Sequence, residues 1–253
     1  MSAAQTGVIR VEPTRKRIRA LLDGELVADT TNALLVWEIP YYPAYYLPSA
    51  DVRAELLPAG TADAPGLGTA EVLTVKVATA TAEAAARRYP DAPDPRVRAC
   101  VRLDWNAMTE WLEEDEPNVA HPRDPFHRID VLASSRHVRL ELDGHVLAES
   151  SRPMLLFETM LPVRYYLPRE DLRAELSPSG TRTYCAYKGQ ASYWSVTVGD
   201  RAVPDIAWTY QQPLHDAAQV RGLTAFFDER VDVVVDGERH ERPITPWSPG
   251  PRT

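Results

Sequence analysis

Cysteine, lysine and tyrosine crowd into one short stretch of this chain, TYCAYKGQASYW, from Thr183 to Trp194. It carries Cys185, Lys188, Trp194 and three tyrosines, Tyr184, Tyr187 and Tyr193. Lys188, close behind Cys185, is placed to stabilise a thiolate and make the cysteine a nucleophile. A lysine shielded by aromatic rings is also suited to holding an anion, or to forming a Schiff base from its neutral amine. Aromatic walls around one cation describe a pocket for a planar or anionic organic ligand. The plainer alternative is an inert, buried thiol and a lysine that caps a turn. Gly189 supplies backbone freedom where the lysine meets the next segment. Lysine is scarce here, 3 residues beside 25 arginines, so Lys188 suggests a compact ammonium in place of a guanidinium fork. Cys100 sits in an alternating segment and reads as structural.

The elements that must position these residues follow from an internal repeat, the first feature to seek in any chain. LLDGELVADTTNALLVWE from Leu21 matches ELDGHVLAESSRPMLLFE from Glu141, and YYLPSADVRAELLPAGT from Tyr45 matches YYLPREDLRAELSPSGT from Tyr165. Over 18–61 against 138–181, at a constant offset of 120, 19 of 44 positions are identical without a gap. Beyond that the copies diverge: LTVKV (73–77) lies against WSVTV (194–198), Tyr89 against Tyr210, and 97–105 more loosely against 220–228. The seam, EEDEPNVAHPRDPFHR, runs from an acidic stretch into Pro117, Pro122 and Pro125, as a linker does. The expected domains are 1–122 and 123–253, the second ending in a proline-rich tail.

Each copy reads as β. RIRALLD and VRLELDG alternate and turn at Asp23-Gly24 and Asp143-Gly144, a strong hairpin signal. An apolar run follows, then YYLP, where proline ends the strand and SAD or RED starts one helical turn. VRAELL and LRAEL resume the strand, and 205–219 reads as a short helix or irregular crossover. The 22 prolines in 253 residues fit many short strands and fixed turns.

Composition narrows the classes. The net charge is −8 and no basic stripe appears, so nucleic acid is not an expected partner. No apolar run is long enough for a membrane-spanning helix. Met1–Val11 lacks the charged-then-apolar pattern of a secretion signal, and a cytoplasmic location is expected. Two cysteines and six histidines without HxH or HExxH spacing give no metal set, and no cofactor is expected.

Each copy serves as a control for the other. Both keep the Asp-Gly turn, Glu38/Glu158, YYLP, Asp51/Asp171, Arg53/Arg173 and Glu55/Glu175. A glutamate ending an apolar run needs a cation, and Arg53 and Arg173 are the expected partners of Glu38 and Glu158. The first copy has TADAPGLGTAEVL where the second has its Cys-x-Tyr-Lys-Gly element, so the specialised site is expected in the second copy. Candidate catalytic residues are Cys185 and Lys188. Candidate ligand contacts are Glu158, Tyr165, Tyr166, Arg173, Tyr187, Trp194 and Trp208. Three functions are open: a binding module for a small organic ligand, a cofactor-independent enzyme using Cys185 or Lys188, and a protein-interaction module. His121 and His127 read as solvated linker histidines, and His215 as a base only if its loop folds over Lys188.

The stretches VLAESSRPMLLFET, RYYLPREDLRAEL, TYCAYKGQASYWSV, IAWTYQQP and FFDERVDVVVDG together resemble the bacterial family known as domain of unknown function 427, in its tandem, actinobacterial-type form. The resemblance covers about 15–245. It implies two tandem all-β domains similar to the β-tent fold, with few short helices. Relatives of that fold often carry a zinc clip of paired cysteines, which this sequence lacks. The residues matching the family pattern are Glu158, Tyr165, Tyr166, Arg173, Cys185, Tyr187, Lys188, Gly189 and Trp194. The first copy lacks the Cys-Tyr-Lys element and is a degenerate copy in this respect.

Overall fold

The computed structural model describes residues 9–248, so most of Met1–Val11 and the end of the proline-rich tail lie outside the described residues. The chain divides into two compact units, Met1–Asp124 and Pro125–Thr253. Both are built almost wholly of antiparallel strands joined by tight turns.

In the first unit, one sheet has the spatial order Arg10–Pro13, Leu34–Trp37, Ala44–Pro48, Cys100–Leu103, Thr81–Arg88, Gly68–Lys76 and Glu55–Ala64. The second unit repeats that order. Ile129–Ala133, Met154–Glu158 and Arg164–Tyr166 are followed by Thr224–Phe226, Arg201–Thr209, Gly189–Val198 and Leu176–Cys185, the halves joined at the Leu167–Thr224 bridge. A smaller sheet accompanies each. In the first unit it is Glu116–Pro117, Glu110–Glu113, Ile18–Leu22 and Glu25–Thr30; in the second it is Glu238–His240, Asp232–Val235, Val138–Leu142 and His145–Ser150.

The hairpin turns have the conformation their sequences require. Asp23 and Gly24 both have positive φ (51° and 78°), as do Asp143 and Gly144 (50° and 80°), the geometry that matches strand twist. Only single helical turns interrupt the strands at Ser49–Asp51 and Arg169–Asp171, where SAD and RED follow proline. Part of the expected 205–219 crossover is strand to Thr209, and helical turns occupy His215–Val220. One helical turn, Pro95–Arg98, precedes the strand that carries Cys100. Asp94 caps it, its side chain accepting from Arg96 N, and proline is pre-set for a first helical position.

The central strands of the larger sheet are buried on both faces, alternate residues pointing to opposite sides and joining different clusters. Leu35, Tyr45, Leu47, Val75 and Val101 join Ile18, Val27 and Trp111 in one core of the first unit. Their neighbours Leu34, Val36 and Tyr46 join Leu67, Tyr89 and Val97 in another. The second unit repeats the division: Leu155, Tyr165 and Leu167 belong to the larger cluster, while Leu156, Tyr166, Trp208, Tyr210, Ala217 and Val220 form the smaller one. Asp51 and Asp171 clasp the turn to the neighbouring hairpin, accepting from Thr30 Oγ1 at 2.6 Å and from Ser150 Oγ at 2.7 Å. Among the described residues, no helix is long and apolar enough to cross a membrane.

Candidate functional site

Glu158 ends its strand with a side chain only 5% exposed. Lys188, in the turn between Leu176–Cys185 and Gly189–Val198, pairs its ammonium with Glu158 Oε2. His127 brings Nε2 to within 3.0 Å of Oε1, and its ring stacks on Tyr187 at 4.3 Å between centroids and 17° between planes. Lys188 and His127 are themselves 11% and 13% exposed. A carboxylate, an ammonium and an imidazole from three separate segments therefore meet in one largely covered place. Burial alone would raise the Glu158 carboxyl, but the His127 hydrogen bond and the Lys188 charge outweigh it and hold the group below its usual range.

The turn is shaped for close packing. Cys185 pairs with Gly189, whose φ is +88°. A side chain at Gly189 would place its first carbon 3.4 Å from the Gln212 carbonyl and from Leu214. Leu214 N also donates to Lys188 O at 3.1 Å, so the 211–214 loop does fold against the lysine turn. His215 is nevertheless turned away: its side chain is 75% exposed, with Nε2 2.8 Å from Asp216.

The other predicted residues are divided by the sheet. Tyr166 accepts a hydrogen bond from Trp208 Nε1 at 3.0 Å, and both rings are buried in the smaller core. Burial raises the Tyr166 and Tyr210 hydroxyls, and the charge of Glu158 adds to this. Tyr165 faces the opposite side, in the larger core, and Trp194 packs against that same core with Nε1 donating to Thr209 Oγ1 at 3.1 Å. Adjacent residues on a strand cannot line the same wall. The expected pairs Glu38–Arg53 and Glu158–Arg173 do not form. Arg53 and Arg173 lie where the chain docks on the smaller sheet, N–H to Val27 O and Leu147 O, and Arg53 reaches Asp29 at 3.6 Å. Cys185 is partly exposed, and Lys188, His127 and His215 all have carboxylate partners, so none of these bases is committed to its sulfur. Cys100 is buried, donates to Arg96 O at 3.4 Å, and burial pushes its thiol up to about 11.

Strand registers reveal a relation between the copies that residue-by-residue comparison hides. Glu38 matches Glu158 through the pairings Arg10–Trp37 and Asp130–Phe157. Its cation is Arg102, Nε to Oε1 at 2.7 Å, and Tyr46 donates to the same oxygen at 3.2 Å. Arg102 stands opposite Tyr46. In the second copy the residue opposite Tyr166, counted from the Leu167–Thr224 bridge, is Ala225. Conversely, the turn position of Lys188 is held in the first copy by the buried Leu67, since Ala64–Gly68 and Cys185–Gly189 close equivalent turns. The cation and the apolar residue have exchanged elements. Both copies thus keep a carboxylate paired with a cation at this strand end, largely covered only in the second copy, and Lys188 does not mark a charge that the first copy lacks. What the second copy adds is His127, Tyr187 and Cys185. His127 was masked in sequence by its proline-rich linker setting. Arg164 was missed too, although Ala44 in the equivalent place was a usable signal.

Fold and site together define a class: tandem all-β units, each with a carboxylate–cation pair where the equivalent strands Leu34–Trp37 and Met154–Glu158 end. The family described as a domain of unknown function, DUF427, matches residues 10–113 and 130–237, and the chain belongs to that family as a two-copy member. No curated protein matches it.

Proposed function

We propose that the second unit is a binding module for a small organic ligand with a planar or anionic group, seated at Lys188, His127 and Glu158. The observation that carries this reading is the convergence of these three polar groups from separate segments, each largely covered. Buried ion clusters contribute little net stability compared with apolar packing, and clusters of this kind concentrate at functional sites. An ammonium has three donors, and Glu158 engages Lys188 without exhausting them. Tyr187, buried and stacked on the imidazole, holds that ring in place, and Tyr166 and Trp208 are buried in the core behind. The free thiols of Cys100 and Cys185 accord with a cytoplasmic location.

The test is a thermal-shift screen of anionic and planar metabolites on the wild type and on the Glu158→Gln, Lys188→Met double variant, which removes both charges together. A ligand present at 100 times its Kd stabilises its unit by about 2.7 kcal/mol. That stabilisation is expected in the wild type and absent in the variant. A screen in which nothing stabilises the wild type, or in which both proteins respond equally, overturns the proposal.

A further inference from the structure

The second unit holds another buried charge cluster, independent of the ligand reading. Arg164, 6% exposed, grips Glu229 with two prongs, Nη1 to Oε2 at 2.8 Å and Nη2 to Oε1 at 2.6 Å. Asp228 Oδ2 stands 3.8 Å from Nη1. Two buried carboxylates therefore share one guanidinium. Against Glu229 and Arg164 lies the segment from Pro243 to Ser248. Thr245 Oγ1 donates to Glu229 Oε1 at 2.5 Å, and the Arg164 guanidinium lies between Trp247 and Trp208, 5.9 and 5.7 Å from their rings. The segment is a closed turn in its own right: Ser248 N donates to Thr245 O, Thr245 N to Ser248 Oγ, and Trp247 N to Thr245 Oγ1. Arg242, paired with Asp232 at 3.0 Å, anchors its start.

We propose that 243–248 is a proton-controlled latch over Arg164, held tightly while Asp228 is protonated and loosened when Asp228 ionises. Arg164 already uses both prongs on Glu229, so an ionised Asp228, 3.8 Å from Nη1, leaves an excess negative charge in the cluster that the closed segment grips through Glu229 and Arg164. Opening uncovers Glu229 and Arg164, so that water can share in solvating the excess charge of the cluster. Burial raises the Asp228 carboxyl to about 7; Arg164 pulls it down and Glu229 pushes it up. The facing groups do not compete in this range. Tyr165 is raised by burial and by Asp228, with Arg136 and Asp236 beyond it. Arg230 commits its guanidinium to the carbonyls of Asp205 and Pro204. Thr245, Trp247 and Trp208 do not titrate. Closing therefore takes up a proton, and the latch weakens as pH rises from the ordinary carboxylate range to about 7, then stays level.

Hydrogen exchange of the 241–248 peptide in the full chain, corrected for intrinsic rates, reads the latch directly. Protection is expected to fall by as much as tenfold per pH unit from pH 5 to 7 and to level off above. Asp228→Asn should hold its protection across this range, and Thr245→Val should lose it throughout. Wild-type protection that ignores pH, or a pH dependence that survives in Asp228→Asn, overturns the proposal. Should Asp228→Asn fail to fold, NMR on the wild type replaces it: the chemical shifts of the Asp228 carboxyl carbon and of the Trp247 indole must change with pH at one midpoint, and separate midpoints overturn the latch.

Discussion

Replacing Lys188 by methionine keeps the length of the side chain and deletes its charge. Glu158, 5% exposed, then keeps only the His127 hydrogen bond. Breaking a buried pair by removing one partner costs about 3–5 kcal/mol, because the remaining charge is desolvated without compensation. For a unit of this size about 1 kcal/mol moves Tm by about 4 °C, so the second unit should melt about 12–20 °C lower. The Glu158→Gln, Lys188→Met double variant should recover most of that loss, since it buries no net charge. The first unit supplies the contrast. Arg102→Met removes the cation from Glu38, but these side chains are 21% and 28% exposed, and water screens the remaining carboxylate, reducing the cost to about 1–2 kcal/mol. Glu158 is held below its usual range, so its stabilising contribution is present at neutral pH and is lost as pH falls through that depressed value. The Lys188→Met penalty should accordingly shrink in acid. Differential scanning calorimetry resolves the transitions, each variant identifying the unit it affects. A Lys188→Met transition within 3 °C of wild type, or a double variant as unstable as the single one, would refute the reasoning.

Three further outcomes are expected. Asp228→Asn should stabilise the second unit at pH 8 by up to about 4 kcal/mol and leave it unchanged near pH 4; a carboxyl raised from 3.8 to about 7 destabilises the folded state above its ordinary range, and urea titrations at the two pH values check it. Gly189→Ala should cost about as much as Gly144→Ala in the same urea assay, roughly 1 kcal/mol of backbone strain: both positions have positive φ, and the neighbours of the first, Gln212 O and Leu214 at 3.4 Å, lie at ordinary contact distance. Iodoacetamide followed by peptide mass mapping at pH 8 should label Cys185 well before Cys100, whose thiol is buried and raised to about 11; equal rates would contradict the burial.

Much of the fold was legible because its determinants are local. Asp-Gly turns demand positive φ, and two-residue alternation marks the strands. The 120-residue offset shows that one plan is used twice. The buried position of Glu158 could be read from the apolar run before it, and the importance of Lys188 from its rarity. Their pairing could not. Arg173 was the nearer candidate in pattern, yet register carries it to the smaller sheet, while a turn thirty residues away brings the lysine in. Tyr165 and Tyr166, adjacent in the chain, go to different cores because successive side chains leave opposite faces of a strand.

The amino-acid sequence by itself determined the β architecture, the duplication and the residues with unusual chemistry. Only the tertiary structure decided which of them meet. It showed that Arg102 and Lys188 fill one electrostatic role from different elements, that His127 belongs to the centre, and that Glu229 and Arg164 lie under the 243–248 segment. The physical reason is that a carboxylate out of water requires a cation but does not specify its origin. Any element that packing brings within reach can supply it, and long-range register, invisible in local pattern, sets that reach.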